Sequence, residues 1–571
     1  MNAEVITRNP DAEQERLILP PADFPVTWIN SDDGIYHWTR DCEHNPAPIT
    51  PMFSSFAAHT AGEGRRRTVE LYKESILGRL DRQINTYNYT RLIAFTGSPK
   101  EIAEREKQNR QIVGAVSARL AEAWENEWKP ELDALWSYWR AFDLKGASWD
   151  DLATHFEGTL TRATRIYEIH YLMGPPMWYA IDEFEKLFCD LFAGSTALDA
   201  HRLLQGFDNK TLEIGRALWR LSRDANDVED VRKALLELPA GEVIPVLQQS
   251  VNGVYFLARF YSFLQAYGRR SDLWDWGYPS WEEDPTPLLN NLKNYLAQPE
   301  RDLESELAEA AQQREAAISR ARQELDYYPQ PVRERFETLL KAAQIALVLT
   351  EDHTFYIDFN GFGWVRRVIR ELGKRLTDRM QLYEPNDVFF IELAELRHAI
   401  ADPTLNLCEL AEIRRVDTEQ WAKRPGPKEL GTRPAKPLYV YSPDARRMLR
   451  YIGGFVAESK NEYPEPGILR GQAGSSGKVC GPARVILTLA DAHRLKPGDI
   501  LVTTTTAPPW TPLFLTAAGL VTDAGGLLSH GAVVSREYRI PAVVGTRDAT
   551  TMIQDGQLIE VDGNGGMVRL L

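Results

Sequence analysis

The segment with the clearest chemistry is Thr522-Asp523-Ala524-Gly525-Gly526-Leu527-Leu528-Ser529-His530. A short β-branched run ends where it begins, two glycines permit a tight turn, and SHGAVVSREY (529–538) reads as a helix that opens at Ser529. Serine is a favoured N-cap residue. His530 then falls in the first helical turn, where unpaired backbone N–H groups and the helix dipole both favour an anion. Imidazole is a competent nucleophile. A phosphoryl group on the His530 ring would therefore lie against the positive end of the helix, and the ring is expected to face solvent. Thr522, Gly525, Gly526 and Ser529 are the expected supports of this loop. Arg536 lies six residues beyond His530 and reaches a phosphate there only if the chain folds back.

The elements that must position this histidine divide into two kinds. Residues 467–571 hold 15 of the 38 glycines, and Trp510 is the only one of 15 tryptophans beyond residue 466. After residue 466, short β-branched runs bounded by glycine alternate with helical pieces: 478–487, 498–504, 519–523, 541–546, 557–563 and 567–571. This predicts a compact α/β domain over 467–571. The first 457 residues read as mostly helical, with amphipathic spacing over 101–128, over 301–349 either side of Tyr328-Pro329-Gln330-Pro331, and over 363–382 and 388–400. A proline- and lysine-rich stretch, 422–439, breaks that pattern, and the polar segment 458–466 is the expected hinge linker. The fold class expected is multidomain: a mostly α-helical substrate-binding region followed by a C-terminal α/β domain.

Bulk properties narrow the partners. The net charge of −15 argues against nucleic acid and against a broad anionic membrane surface. No run of 18 apolar residues offers a membrane span, and the polar N-terminus lacks the plan of a secretory signal. Four scattered cysteines without a CxxC pair fit reduced thiols and a cytoplasmic location.

Residues 467–571 resemble the phosphohistidine swivelling domain of the phosphoenolpyruvate-utilising enzymes. The resemblance runs through GDILV (498–502), PPWTPLFLTAAGLVTDAGGLLSH (508–530), IPAVVGT (540–546), Asp555-Gly556 and VDGNGG (561–566). It implies that His530 carries the phosphoryl group covalently. Gly531 and Ser535 depart from the alanines usual at those places. Family members often place a phosphoenolpyruvate-binding barrel or an ATP-grasp domain beside this one. Neither is legible here, and no P-loop is present. The expected phosphoryl source is therefore a separate ATP-grasp subunit supplying ATP and Mg2+, with AMP and phosphate released.

The first part resembles the acceptor-binding region of rifampicin phosphotransferase and phenylphosphate synthase-like proteins. The stretches that carry this are Asp41-x-x-His44-x-Pro46-x-Pro48-x-x-Pro51, Glu351–Asp358 and Asn386–Leu396. An aromatic-rich run around Trp178, 171–179, reads either as core or as an apolar pocket for an aromatic acceptor. A phenol, with a pKa near ~10, benefits from a base. His44, His170 and His353 are the candidates, with Asp41 or Glu351 to orient one of them. No metal-ligating set is read from the sequence. The acceptor expected is a small aromatic hydroxyl such as phenol or cresol. The alternatives are an antibiotic hydroxyl, or a phosphocarrier that signals without catalysis.

Overall fold

The computed structural model describes residues 16–434, 443–453 and 465–571. The first part is built on one helix, Trp149–Leu191, 43 residues and about 65 Å long. Ser148 caps it by accepting from Asp151 N at 3.1 Å, and Asp150 and Asp151 complement the dipole of its first turn. Leu152, Phe156, Leu160, Ala163, Ile166, Ile169 and Met173 recur every three or four residues and are buried. That stripe packs against the helices Pro51–Tyr72 and Gln330–His353. Pro175 and Pro176 sit inside the long helix. Pro176 has no N–H for Leu172 O, and the hydroxyl of Tyr72 donates to that carbonyl instead at 2.7 Å.

The first part is mostly helical, as expected, with one element that was not expected. The first part also contains a five-stranded sheet in the order β1-β5-β2-β4-β3, made of Arg16–Ile18, His37–Arg40, Ile76–Ile84, Tyr87–Ala94 and Glu429–Arg433. β3 carries charged residues on both faces, Arg79 and Asp81 on one and Arg82 on the other, so it lacks the clean alternation that marks a strand. The β3–β4 hairpin turns on Asn85 and Thr86, both at positive φ (47° and 66°), the geometry of a two-residue turn matched to strand twist. β5 lies inside 422–439, so that stretch is in part a strand; its residues 435–439 lie outside the described ones. The 388–400 helix divides into a 3-10 turn, Pro385–Phe390, and a helix, Leu393–Ala401. Glu392 N bonds Glu395 Oε2 at 2.7 Å and restarts the helix. The 101–128 helix ends at Ala118 and continues as Leu120–Ala123 and a π turn, Trp124–Trp128.

The last domain has an eight-stranded sheet in the order β6-β13-β12-β8-β9-β10-β11-β7. Its strands are β6 Ile468–Arg470, β7 Gln472–Ser475, β8 Lys478–Val485, β9 Ile500–Thr503, β10 Gly519–Thr522, β11 Ala542–Val544, β12 Leu558–Asp562 and β13 Met567–Leu570. β8, β9, β10 and β11 run parallel, and the outer strands are antiparallel. All six expected strands are present, and β6 and β7 are additional. The expected hinge, 458–466, lies outside the described residues except for Glu465 and Pro466.

The two parts are packed together. Leu212, Leu218 and Trp219 of the helix Lys210–Asn226 share one apolar cluster with Trp510, Leu513, Phe514 and Tyr538. Tyr295 donates to Pro512 O at 2.9 Å, and Arg301 donates to Leu515 O.

Candidate functional site

The His530 loop leaves the C-terminal end of parallel strand β10, where open α/β sheets place ligands. Every step of the loop is held. Asp523 and Ala524 donate backbone bonds to Thr503 O and Thr504 O at 3.1 and 2.8 Å. Thr522 Oγ1 donates to Ala524 O at 2.6 Å. Gly525 sits at φ +115°, which L side chains rarely adopt. Gly526, Leu527 and Leu528 then donate to Ile452 O, Arg450 O and Tyr451 O of the helix Pro443–Ile452. A Cβ on Gly526 would stand 2.6 Å from the Arg450 and Tyr451 oxygens. Gly531 is equally confined, with Thr506 Oγ1 at 2.8 Å and Leu520 Cδ2 at 2.9 Å from where its Cβ would be.

Three expectations about the loop are corrected. Ser529 occupies the N-cap position of the helix His530–Glu537, but its hydroxyl donates back to Gly526 O at 2.8 Å and caps nothing. Arg536 is buried and does not fold back to the ring. Its Nη2 donates to Leu527 O at 2.7 Å and its Nη1 to Gly474 O at 2.8 Å, so it braces the loop from behind. The His530 side chain is only 7% exposed. It points into the helical part, not to solvent.

What it meets there is Glu351, whose Oε2 lies 3.1 Å from His530 Nδ1. Glu351 is the carboxylate proposed for orienting an acceptor base, and it orients His530 instead. Thr211 donates to the same oxygen at 2.6 Å. Burial pushes the Glu351 carboxyl up, but the His530 ring and these hydrogen bonds hold it below its ordinary value. An ionised carboxylate only accepts, so it receives a hydrogen bond from Nδ1–H, the tautomer that leaves a lone pair on Nε2. Thr511 Oγ1 stands 3.2 Å from Nε2.

His530 lines a cavity of about 630 Å3 between the two parts. Its apolar walls include Phe53, Tyr171, Met177, Trp178, Trp274 and Phe362. The aromatic run 171–179 is thus both core and pocket: Met173 and Pro175 are buried, and Tyr171 and Trp178 line the cavity. All three candidate bases line it as well. His44 is held by Asp41, with Nδ1 3.1 Å from Oδ1. Burial pulls the His44 pKa down, but Asp41 and Glu43 raise it above the ordinary value. Burial pushes the Asp41 carboxyl up, but His44 and Arg79, 3.6 Å away, hold it well below the carboxylate range.

His170 and His353 lie beside each other, with ring centroids 5.2 Å apart. Burial lowers the pKa of both. Asp358, which sequence reasoning passed over, completes a cluster in which His170, His353 and Asp358 bring their ligand atoms within 4.8 Å of one another. Glu43, Arg79, Thr211 and Thr511 were also missed. Burial raises Glu43 to about 7, and Thr505 of the last domain donates to it at 3.4 Å. The signal for Glu43 was its place inside the Asp41–His44 motif. Thr511 lies within the 508–530 run but was given no role there, and Arg79 and Thr211 stand far from any motif in the sequence.

The class of protein follows from comparison with known families. Residues 495–566 match the mobile domain of PEP-utilising enzymes, and residues 177–351 match the fourth domain of rifampicin phosphotransferase. The chain resembles the PEP-utilising enzymes of the rifampicin phosphotransferase type. It is 30% identical over 387 residues to the rifampicin phosphotransferase of Bacillus subtilis (63% of this chain, 40% of the relative). It is 25% identical over 568 residues to an uncharacterized phosphotransferase, YvkC, of the same organism (98% and 64%). It is 36% identical over 564 residues to the chondramide synthase CmdD of Chondromyces crocatus (96% and 14%). The chain therefore spans less than two thirds of the length of these relatives. No helix among the described residues is long and apolar enough to cross a membrane.

Proposed function

We propose that this chain is the phosphocarrier and acceptor-binding part of an ATP-dependent phosphotransferase. The observation that carries the reading is His530, held at Nδ1 by Glu351 and aimed into a largely apolar cavity. Phosphorus arrives on Nε2 while the last domain is turned toward a separate ATP-grasp subunit. ATP and Mg2+ belong to that partner. The cavity itself suits a triphosphate poorly, because Asp41 and Glu351 are ionised there and Arg79 is engaged by Asp41 and Asp81. Release of AMP and phosphate leaves the β-phosphoryl group of ATP on the ring. The domain then docks as described, and a hydroxyl in the cavity attacks phosphorus in line. His44, oriented by Asp41, takes the hydroxyl proton.

The acceptor is a hydroxyl on an aromatic, largely apolar molecule. Phenol and cresol fit that chemistry, but the volume falls where drug-sized ligands bind. It favours an acceptor of antibiotic size, in keeping with relatives that are named for rifampicin. The 418 residues between Arg16 and Arg433 that enclose this cavity are more than a signalling carrier needs.

The test supplies the chain with β-labelled ATP and an ATP-grasp domain from a related phosphotransferase. An acid-labile, base-stable label on His530, absent from His530→Ala, is the expected result. Label elsewhere, or none, refutes the carrier role. A panel of phenols and polyketide-type hydroxyls then identifies the acceptor by label transfer.

A further inference from the structure

Among the buried polar atoms of the cavity wall without a hydrogen-bond partner are two that lie side by side, His170 Nδ1 and Asp358 Oδ2. Leaving such atoms unmade is costly. Their neighbour His353 donates Nδ1–H to Leu349 O at 2.8 Å, which fixes its tautomer and leaves Nε2 with a lone pair. Imidazoles locked in this way by a backbone carbonyl are typical of metal ligands.

The local fold is built to gather these groups. The helix Gln330–His353 runs directly into a π turn, Thr354–Phe359. In a π turn five residues make roughly one revolution, so His353 and Asp358 share a face that an α-helix would split. His170 comes from the long helix on the other side. His170 Nδ1 is 3.4 Å from Asp358 Oδ1, the spacing of two ligands about 2.1 Å from one ion at a tetrahedral angle.

We infer that His170, His353 and Asp358 form a site for a first-row divalent cation such as Zn2+ or Mn2+, which binds and acidifies the acceptor hydroxyl. Two imidazoles and one carboxylate select against Mg2+, which prefers oxygen, so this ion is not the one that accompanies ATP. Three protein ligands leave a position open to the cavity that His530 also lines. The catalytic role rests on the phosphotransferase reading above. The hydroxyl oxygen coordinates the ion and its proton passes to His44. The O–P bond forms as the N–P bond to His530 breaks, and the bonding pair returns to the ring. In sum, phosphohistidine and alcohol become histidine and phosphoester, with the alcohol proton held on His44 and the Nε2 lone pair of His530 restored.

The test is Co2+ titration of the metal-stripped full chain, followed by visible absorption and calorimetry, with Zn2+ as competitor. One equivalent per chain, giving the strong bands of a four- or five-coordinate ion, is expected. Asp358→Asn and His353→Gln should each weaken binding at least tenfold, and His530→Ala should bind as the wild type does. Absence of saturable binding, weak bands of an all-oxygen octahedral ion, or undiminished binding by the variant carrying both Asp358→Asn and His353→Gln would overturn the site. If a variant fails to fold by circular dichroism, His170→Gln takes its place, and the wild-type spectrum still reports nitrogen ligation. Binding without any phosphorylation of His530 would leave the site standing and remove the phosphotransferase reading alone.

Discussion

At the scale of single residues, Glu351 does for His530 what a buried carboxylate does in other nucleophilic sites: it fixes the tautomer and the ring direction. Glu351→Gln should therefore slow phosphoryl transfer by on the order of a hundredfold without unfolding the chain. Single-turnover transfer from preformed phosphohistidine measures it, and a near-wild-type rate would remove Glu351 from the mechanism. The Asp41–His44 pair makes a prediction about pH. The folded pKa of His44 is raised, so its contribution to stability is full below about 6.5 and is lost as pH rises through the folded value. The folded pKa of Asp41 is depressed, so its contribution is present above about 3.9 and is lost as pH falls below it. The Tm deficit of His44→Gln should thus be greatest between about pH 4 and 6.5 and shrink at higher pH. A deficit constant from pH 5 to 9 would contradict the pairing. For the same reason the transfer rate should climb with pH through a value above the ordinary imidazole pKa, since His44 must be unprotonated to accept.

At the scale of elements, legibility followed how local the determinants are. The strand, glycine turn and helix around His530 occupy one contiguous stretch, so residue types alone predicted this local order of elements. The direction of the ring was not legible, because Glu351 and Thr211 reach it from elements far away in sequence. The sheet β1–β5 was missed because β5 joins β1 and β2 across some four hundred residues, β1 and β2 are only three and four residues long, and β3 carries charges on both faces. Asp358 ends the Glu351–Asp358 stretch but was given no role, because the π turn that brings it beside His353 leaves no mark in residue types. The glycine loop offers the sharpest element-scale test. Its backbone pairs with residues 450–452, and Gly526 has no room for a methyl group. Gly526→Ala should push the loop off that helix, with an overpacking cost of about 1–3 kcal/mol, and lower transfer at least tenfold. Amide exchange at 527 and 528 should rise in parallel. Unchanged exchange would mean that the loop is not held there.

At the scale of the whole molecule, the proposed function makes the described arrangement the one that delivers phosphorus, not the one that receives it. His530 is 7% exposed, so a donor reaches it only after the last domain undocks. The docked state must then be stable enough to form and weak enough to leave. Its centre is apolar and continuous with the helical part. Its rim holds exposed ion pairs: Lys428 with Asp548 at 2.6 Å and Arg539 with Glu309 at 3.0 Å. Such pairs contribute about 0–1 kcal/mol each, and reversing one charge replaces attraction by repulsion of similar size. The double variant Lys428→Glu, Glu309→Lys lies outside the site and should shift the docking equilibrium toward the open form by roughly tenfold. The two halves of the reaction then respond in opposite senses. Phosphorylation of His530 by the donor should hold steady or quicken, because the ring is free more of the time, while transfer to the acceptor should slow by a similar factor. Added salt should narrow the gap from the wild type, since exposed charges are screened within about 8–10 Å at 0.1–0.15 M ionic strength. Small-angle scattering should show a larger radius of gyration at low salt. If both half-reactions slowed together, the variant would be damaging the fold, and docking would not be the step that divides donor from acceptor.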